Sequence, residues 1–127
     1  MNPKKILIVD DDHVNRIILA EMLKLLGYDV EMATGGQHAI EVADQQTFAI
    51  ILMDWQMPEV NGFQAASSIW AKSLLNKQTK ILAVTANHLP DEERACREHG
   101  FHDVLTKPFD VPKLEALMKR HLGPGLI

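Results

Sequence analysis

Residues 48–54 read FAIILMD, a strongly apolar run that ends in an acid, and residues 55–58 continue as WQMP. A short apolar run of this kind is typical of a strand buried on both faces of a parallel sheet. Three further runs also end in polar residues: 6–12 read ILIVDDD, 80–85 read KILAVT, and 103–108 read DVLTKP. If the four strands are parallel neighbours, the polar side chains at their ends meet at one sheet edge: Asp10, Asp11, Asp54, Thr85 and Lys107.

Composition limits the class of protein. The chain has 127 residues, of which 46% are apolar, and this predicts one domain with a single core. Its net charge of −4 disfavours direct nucleic-acid binding, which needs a basic face. The one cysteine, Cys96, excludes an internal disulfide and is expected to be a small core residue. Neither a signal peptide nor an apolar run of membrane length is recognisable, so we expect a cytoplasmic domain without membrane contact.

Strand and helix patterns alternate five times along the chain. Strands are predicted at 5–9, 28–33, 48–53, 80–84 and 103–106. The helices between and after them are predicted from the Asp12 cap to Gly27 and at 37–45, 63–74, 90–99 and 111–122.

The expected core faces of the helices follow from helical spacing. In the first helix the recurring apolar residues are Val14, Ile17, Ile18, Met22 and Leu25. In the third they are Phe63, Ile69, Trp70 and Leu74, and in the fifth Val111, Leu114, Leu117, Met118 and Leu122.

Short links between alternating strands and helices require parallel strands with right-handed crossovers. The predicted fold is therefore α/β: a doubly wound five-stranded parallel sheet, flavodoxin-like, with helices on both faces and strand order 2-1-3-4-5. We expect one domain over residues 1–122. Residues 123–127, which begin Gly123-Pro124-Gly125, would be a C-terminal tail or the start of a linker.

This strand order places the first and third strands side by side, with Asp10, Asp11 and Asp54 a few ångströms apart. Like charges so close require a proton or a cation, and all-oxygen ligands favour Mg2+ together with a backbone carbonyl from the loop after Asp54. A carboxylate at an open metal position is a nucleophile towards phosphorus. Lys107 can then bind the phosphoryl oxygens as a point charge, and Thr85 can donate a hydrogen bond to them.

The pieces Val9-Asp10-Asp11, Met53-Asp54 with Pro58 and Gly62, Thr85-Ala86, and Lys107-Pro108-Phe109 occur in the order and spacing of a known family. The chain resembles the receiver domain of two-component response regulators. The resemblance implies that Asp54 is the phosphoacceptor and that Asp10 and Asp11 hold Mg2+, with Asp11 the direct ligand and the Gln56 carbonyl the third protein ligand. It also implies that Thr85 reorients on phosphorylation, that Lys107 binds the phosphoryl group, and that the Lys107–Pro108 bond is cis.

The resemblance extends to partners and regulation. Residues 12–16, which read DHVNR, resemble receivers attached to hybrid sensor kinases, and this implies a phosphorelay with a histidine kinase or a histidine phosphotransfer domain. Such partners usually dock beside the first helix and the site loops. Gln56 and Asn87 occupy positions where relatives tune the lifetime of the phosphoryl group. Val104 replaces the Tyr or Phe that many relatives use as an aromatic switch, so this domain is expected to pass phosphate onward or to signal through another surface.

The sequence leaves three alternative functions to consider. An aspartyl-nucleophile phosphatase or phosphotransferase of the haloacid-dehalogenase type carries a second Asp two residues after the first, and here that residue is Gln56, which cannot act as a general acid. A flavodoxin-like nucleotide or flavin module needs a glycine-rich or hydroxyl-rich loop after the first strand, where this chain has three acids. A degenerate receiver that only binds partners would lack site residues. The leading interpretation is a signalling domain that catalyses its own phosphotransfer and slow hydrolysis, not an enzyme.

Overall fold

The strands form one parallel sheet in the order β2-β1-β3-β4-β5, as predicted. The structure is a computed structural model that describes residues 5–86 and 90–123. Along the chain the elements are β1 (Lys5–Val9), α1 (His13–Leu25), β2 (Asp29–Ala33), α2 (Gly36–Ala43), β3 (Ile50–Asp54), α3 (Gly62–Lys72), β4 (Lys80–Thr85), α4 (Pro90–Glu98), β5 (Asp103–Thr106) and α5 (Val111–Leu122).

The three central strands, β1, β3 and β4, are buried on both faces because helices cover both sides of the sheet. Their side chains alternate between two apolar clusters, so that Ile51 belongs to one cluster and Leu52 to the other. Helices α2, α3 and α4 contribute residues to the first cluster, and α1 and α5 contribute to the second. Complete burial of both faces explains why these strands read as continuous apolar runs and not as alternating ones.

The predicted core face of α1 is wrong. The residues that this helix buries are Leu19, Ala20 and Leu23. Most of the predicted face points to solvent instead: Val14 is 61% exposed, Ile17 43%, Ile18 48% and Leu25 75%. Helix α1 is apolar over most of its circumference, so its periodicity offers two possible stripes, and only packing against the sheet decides which one is buried.

The region around α3 differs from the prediction in a second way. The helix ends at Lys72, and Leu74 is 87% exposed in the turn that follows. In that turn the fully buried Asn76 side chain accepts a hydrogen bond from the Phe48 amide at 3.0 Å. The Phe48 amide is thus bound by a side chain, whereas the Ala49 amide donates to the Lys5 carbonyl of β1 at 2.8 Å, and β3 begins at Ile50 and not at residue 48.

The predicted signals at the two ends of α1 are confirmed. The Asp12 side chain accepts from the Val14 and Asn15 amides at the start of α1. Gly27 follows the end of α1 with a φ of 98°, a left-handed conformation that glycine adopts without strain.

Cys96 is fully buried, as expected, and burial raises the pKa of its thiol to about 11. Of the expected tail, residues 124–127 lie outside the described residues.

Asp103, the first residue of β5, ties two helices to the sheet at the end opposite the carboxyl edge. Arg97 of α4 donates to one of its oxygens at 3.0 Å, and Arg120 of α5 donates to the other at 2.7 Å. His121 Nε2 lies 2.9 Å from the second oxygen. Burial by itself raises the pKa of Asp103, but the bonds from His121, the Val104 amide and the two arginines outweigh it and lower that pKa to about 2.

Replacing Asp103 with Asn should lower the free energy of unfolding by about 2 kcal/mol at pH 7, because the stabilising charge is lost. Since the folded-state pKa is depressed, the difference from wild type should vanish as the pH falls from about 4 to about 2. Urea unfolding measures this, and the exposed Asp91, paired only with Arg94 on α4, supplies the control Asp91→Asn. Equal effects of the two substitutions would contradict this role for Asp103.

Candidate functional site

Three carboxylates converge at the carboxyl edge of the sheet. Asp10 directly follows β1, and Asp54 is the last residue of β3; the register pairs the residues before them, Val9 and Met53. Asp10, Asp11 and Asp54 each offer an oxygen, and these oxygens all lie within 4.8 Å of one another. Asp10 is buried, Asp54 is partly buried and Asp11 is exposed. The predicted acidic cluster is thus present, and its geometry can hold a metal ion.

The charges in this cluster repel each other strongly in the absence of a cation. At an effective dielectric constant of about 20, two like charges about 5 Å apart repel by about 3 kcal/mol. Burial and then the charge of Asp10 raise the pKa of Asp54 to about 7, although Lys107 and the Gln56 amide act in the opposite direction. A divalent cation relieves this repulsion, and carboxylate oxygens are the ligands that Mg2+ prefers.

Lys107 and Thr85 lie at the same edge. The Lys107 ammonium is 3.6 Å from an oxygen of Asp10, and its side chain is 26% exposed, so it faces the cluster from the open side. The Lys107 amide donates to the Thr85 carbonyl at 2.8 Å, and the peptide bond to Pro108 is cis, as expected. Thr85 is buried and follows Val84, which is the register partner of Asp54. One cationic and one hydroxyl side chain therefore accompany the acids.

The loop after Asp54 is fastened to the site by its backbone. The Gln56 amide donates to Asp54 Oδ1 at 3.2 Å, and the Trp55 amide donates to the Val84 carbonyl at 2.9 Å. The backbone amide of Gln56 therefore lies beside the carboxylate, while the Gln56 side chain is exposed.

Arg16 is a site neighbour that the sequence reasoning missed. Its guanidinium donates to the backbone carbonyl of Asp10 at 2.8 Å and so helps to fix the acidic segment. The available signal was its place in the first turns of the helix that Asp12 caps. Asp10 itself is held further by the Asp12 amide, which donates to its side chain at 2.8 Å.

A cleft of about 370 Å³ with Asp11 and Thr34 in its lining borders the carboxyl edge, and two further open clefts lie at the same edge. One, of about 260 Å³, lies between α1 and the loop after β5, and Asp10, Ile18, Met22, Lys107 and Phe109 are among its lining residues. The other, of about 580 Å³, is lined in part by Trp55, Phe63 and His99. In it the rings of Phe63 and His99 have centroids 4.1 Å apart. Trp55 thus flanks the site as part of an aromatic wall.

Three residues are predicted to affect regulation, and the structure describes Val104 and Gln56 but not Asn87. Val104 is half-buried and packs against the cluster on the α2–α4 face of the sheet, where its side chain has no ring to swing. Asn87 lies outside the described residues, so its proposed effect on phosphoryl lifetime stays a prediction, as does that of Gln56.

Comparison with known sequences identifies the family. The family described as Response regulator receiver domain matches residues 6–119 of the chain. The chain belongs to this family. It is therefore a receiver domain of two-component signal transduction, as the sequence motifs predicted.

Relatives include parts of long sensor kinases and a short response regulator. The sensor protein GacS of Pseudomonas syringae pv. syringae is 32% identical over 124 residues, which cover 96% of this chain but only 14% of that protein. The polar-differentiation response regulator DivK of Brucella anthropi is 29% identical over 121 residues, which cover 95% of this chain and 98% of DivK. This receiver is thus similar both to a segment of a long protein and to a complete short one.

Solved structures connect the site to magnesium. The receiver domain of a sensor histidine kinase from Pseudomonas aeruginosa, with a magnesium ion in its active-site cleft, superposes with a TM-score of 0.86 at 34% identity and covers 95% of this chain and 98% of its own. The response regulator TrrA of Thermotoga maritima, in complex with Mg2+ and BeF, gives a TM-score of 0.79 at 26% identity, covering 92% and 97%. The acidic cluster described above fits the same ion.

Over the residues that the structure describes, none of the helices has the length and apolarity to span a bilayer.

Substituting Asn for Asp54 should stabilise the protein in EDTA at pH 7.5, by on the order of 2 kcal/mol after allowance for solvent screening. With a folded-state pKa raised to about 7, wild-type Asp54 favours folding at low pH and loses that contribution as the pH rises through 7. The difference between the two proteins should therefore shrink towards pH 4, and Mg2+ should stabilise wild type more than the variant. Urea titrations at several pH values check this. A less stable variant at pH 7.5 would refute the crowding argument.

Proposed function

We propose that this receiver accepts a phosphoryl group on Asp54 from a phosphohistidine partner, with Mg2+ bound by Asp10, Asp11, Asp54 and the Gln56 carbonyl. The single observation that supports this most strongly is the convergence of three carboxylates within 4.8 Å beside a lysine. Of Asp10 and Asp11, Asp11 is the better direct ligand, because both oxygens of Asp10 already face Asp12 and Lys107.

The proposed step is an in-line displacement at phosphorus. An oxygen of Asp54 forms a bond to phosphorus while the phosphorus–nitrogen bond of the phosphohistidine breaks. The departing imidazole nitrogen keeps the electron pair of that bond and takes a proton from solvent. When bound, Mg2+ supplies charge neutralisation for the phosphoryl oxygens and for the crowded carboxylates.

Lys107 and Thr85 would serve the transferred group. Lys107 now lies near Asp10, and its ammonium can bind a phosphoryl oxygen that arrives at Asp54. The Thr85 hydroxyl can donate to another such oxygen, which would pull β4 and its following loop inward. Because Val104 offers no ring to follow that movement, we propose that the domain relays phosphate onward or signals through a different surface.

The proposed partner is a histidine kinase or a histidine phosphotransfer domain, and not a nucleic acid. The apolar surface of α1 supports this proposal: Val14, Ile17 and Ile18 are exposed, and Ile18 also lines the cleft that contains Asp10 and Lys107. Apolar residues exposed together at the rim of a reactive site mark a protein-binding surface. We also propose that this reaction takes place in the cytoplasm.

We propose no turnover of an external metabolite, so the domain is not an enzyme in that sense. A haloacid-dehalogenase type of phosphatase remains disfavoured, because Gln56 presents an exposed amide where that mechanism requires an acid. We propose that the receiver domain comprises residues 1–122.

Acetyl phosphate should add one phosphoryl group to the wild-type protein in the presence of Mg2+, and none in EDTA. Asp54→Asn should remain unmodified, because an amide oxygen is a poor nucleophile towards phosphorus. Intact mass spectrometry measures the gain. A modification that persists in Asp54→Asn would refute the proposed phosphoacceptor.

Ile17→Glu should slow phosphotransfer from a phosphorylated histidine phosphotransfer domain by at least roughly tenfold, the loss expected when a central apolar contact is removed. Its modification by acetyl phosphate should be unchanged, because the small donor needs no docking surface. Leu25→Glu is the matched control, since Leu25 is exposed at the far end of the same helix. Equal rates for the two variants would contradict docking at this end of α1.

A further inference from the structure

Gly36, the first residue of α2, lies against the loop that follows Asp54. A Cβ atom placed on Gly36 would stand 2.5 Å from the carbonyl oxygen of Val60 and 2.7 Å from its Cγ1. Real Cβ atoms essentially never come closer than 3.0 Å to such neighbours. The first of these contacts is with backbone, which cannot rotate away as a flexible side chain would. A side chain at position 36 therefore requires the loop or the helix to move.

Local conformation does not explain a glycine at this position. Gly36 has helical backbone, and alanine is the more favourable residue inside a helix by about 1 kcal/mol. The preceding residue, Gly35, differs: a Cβ built there meets nothing within 4 Å, and its φ of 178° is extended backbone that any residue adopts. Close approach to the loop is the physical reason for glycine at position 36 but not at position 35.

The two ends of the same loop are also held together. The Gly62 amide donates to the Trp55 carbonyl at 3.1 Å, and a Cβ on Gly62 would collide with the Asp54 carbonyl oxygen. Between these fastenings Glu59 has a φ of 66°, in the left-handed region that costs a non-glycine residue free energy. Such a conformation persists only when its surroundings fix it, so the loop depends on its contacts at both ends.

Gln56 lies between these two contacts. Its amide is already bound to Asp54, so the direction of its carbonyl depends on the path of the loop from residue 56 to residue 60. A displacement of Val60 by several tenths of an ångström propagates along this short segment towards Gln56. Metal sites are sensitive to such changes, because the atoms around the ligands fix the orientation of the ligands.

We propose that Gly36 is a positioning residue for the metal site: by letting α2 lie against Val60, it holds the path of the loop that carries the Gln56 carbonyl, the backbone ligand proposed for Mg2+. The inference rests on the proposed function for the ligand set. It goes beyond that function because it gives α2, which contributes none of the proposed ligands, control over Mg2+ affinity.

The test compares Gly36→Ala with Gly35→Ala, a methyl group added at adjacent positions. Mg2+ alone is the probe, titrated into each protein and followed by amide chemical shifts in NMR spectra. Gly36→Ala should raise the Mg2+ dissociation constant by roughly tenfold, the size of effect typical of residues that support metal ligands. Gly35→Ala should bind as wild type. Equal dissociation constants for the two variants would overturn the proposal.

A second readout separates positioning from a general loss of structure. At saturating Mg2+, Gly36→Ala should recover modification by acetyl phosphate to within about twofold of wild type, since the loop carries a ligand and not the nucleophile. Failure to recover in a folded protein would also overturn the proposal. If wild type itself gains no phosphoryl group, the proposed function fails instead, whereas the comparison of Mg2+ affinities still stands by itself.

If Gly36→Ala does not fold, Val60→Ala decides the question. This substitution removes Cγ1, the Val60 atom that lies 2.7 Å from a Cβ built on Gly36, and adds no atom to α2. A raised Mg2+ dissociation constant in this variant supports the proposal, and an unchanged one overturns it.

Discussion

Electrostatic repulsion at the carboxyl edge is the constraint on which the remaining features of the site depend. The parallel sheet brings Asp10, Asp11 and Asp54 together, with an oxygen of each within 4.8 Å of the others. The repulsion costs folding free energy, and together with burial, which is the larger cause, it raises the pKa of Asp54 to about 7. The same crowding makes the site receptive to a cation, because a bound cation converts the repulsion into binding free energy.

The fold compensates for this cost with rigid connections around the edge. Asp12 caps α1 and also donates its amide to Asp10, while Arg16 binds the Asp10 carbonyl. On the other side Gly62 lets the loop after Asp54 pack directly on the sheet. At the opposite end, Asp103 ties α4 and α5 to β5. A destabilised reactive edge is thus supported by a sheet that is well fixed elsewhere.

The pattern of residues was sufficient to predict the strand order and the acidic cluster, because both follow from apolar runs that end in polar residues. The same patterns do not predict which face of a helix is buried when two different packings satisfy one pattern. Helix α1 has two apolar stripes, and spacing favoured the one that contains Val14 and Ile18, which the structure leaves exposed. Leu74 is predicted to lie on the third helix, but that helix ends at Lys72. The contact between Gly36 and Val60 involves backbone atoms distant in sequence, so side-chain identity carries no signal for it.

The central claim is that Asp54 becomes a nucleophile towards phosphorus when a cation relieves the crowding. Reduction with borohydride converts an aspartyl phosphate to homoserine, and peptide mass spectrometry then locates the modified residue. After treatment with acetyl phosphate and Mg2+, the account predicts homoserine at position 54 and at no other acidic residue, and none when Mg2+ is withheld. Homoserine at position 10 or 11 with Asp54 unmodified, or equal modification of Asp54 in EDTA, would contradict it.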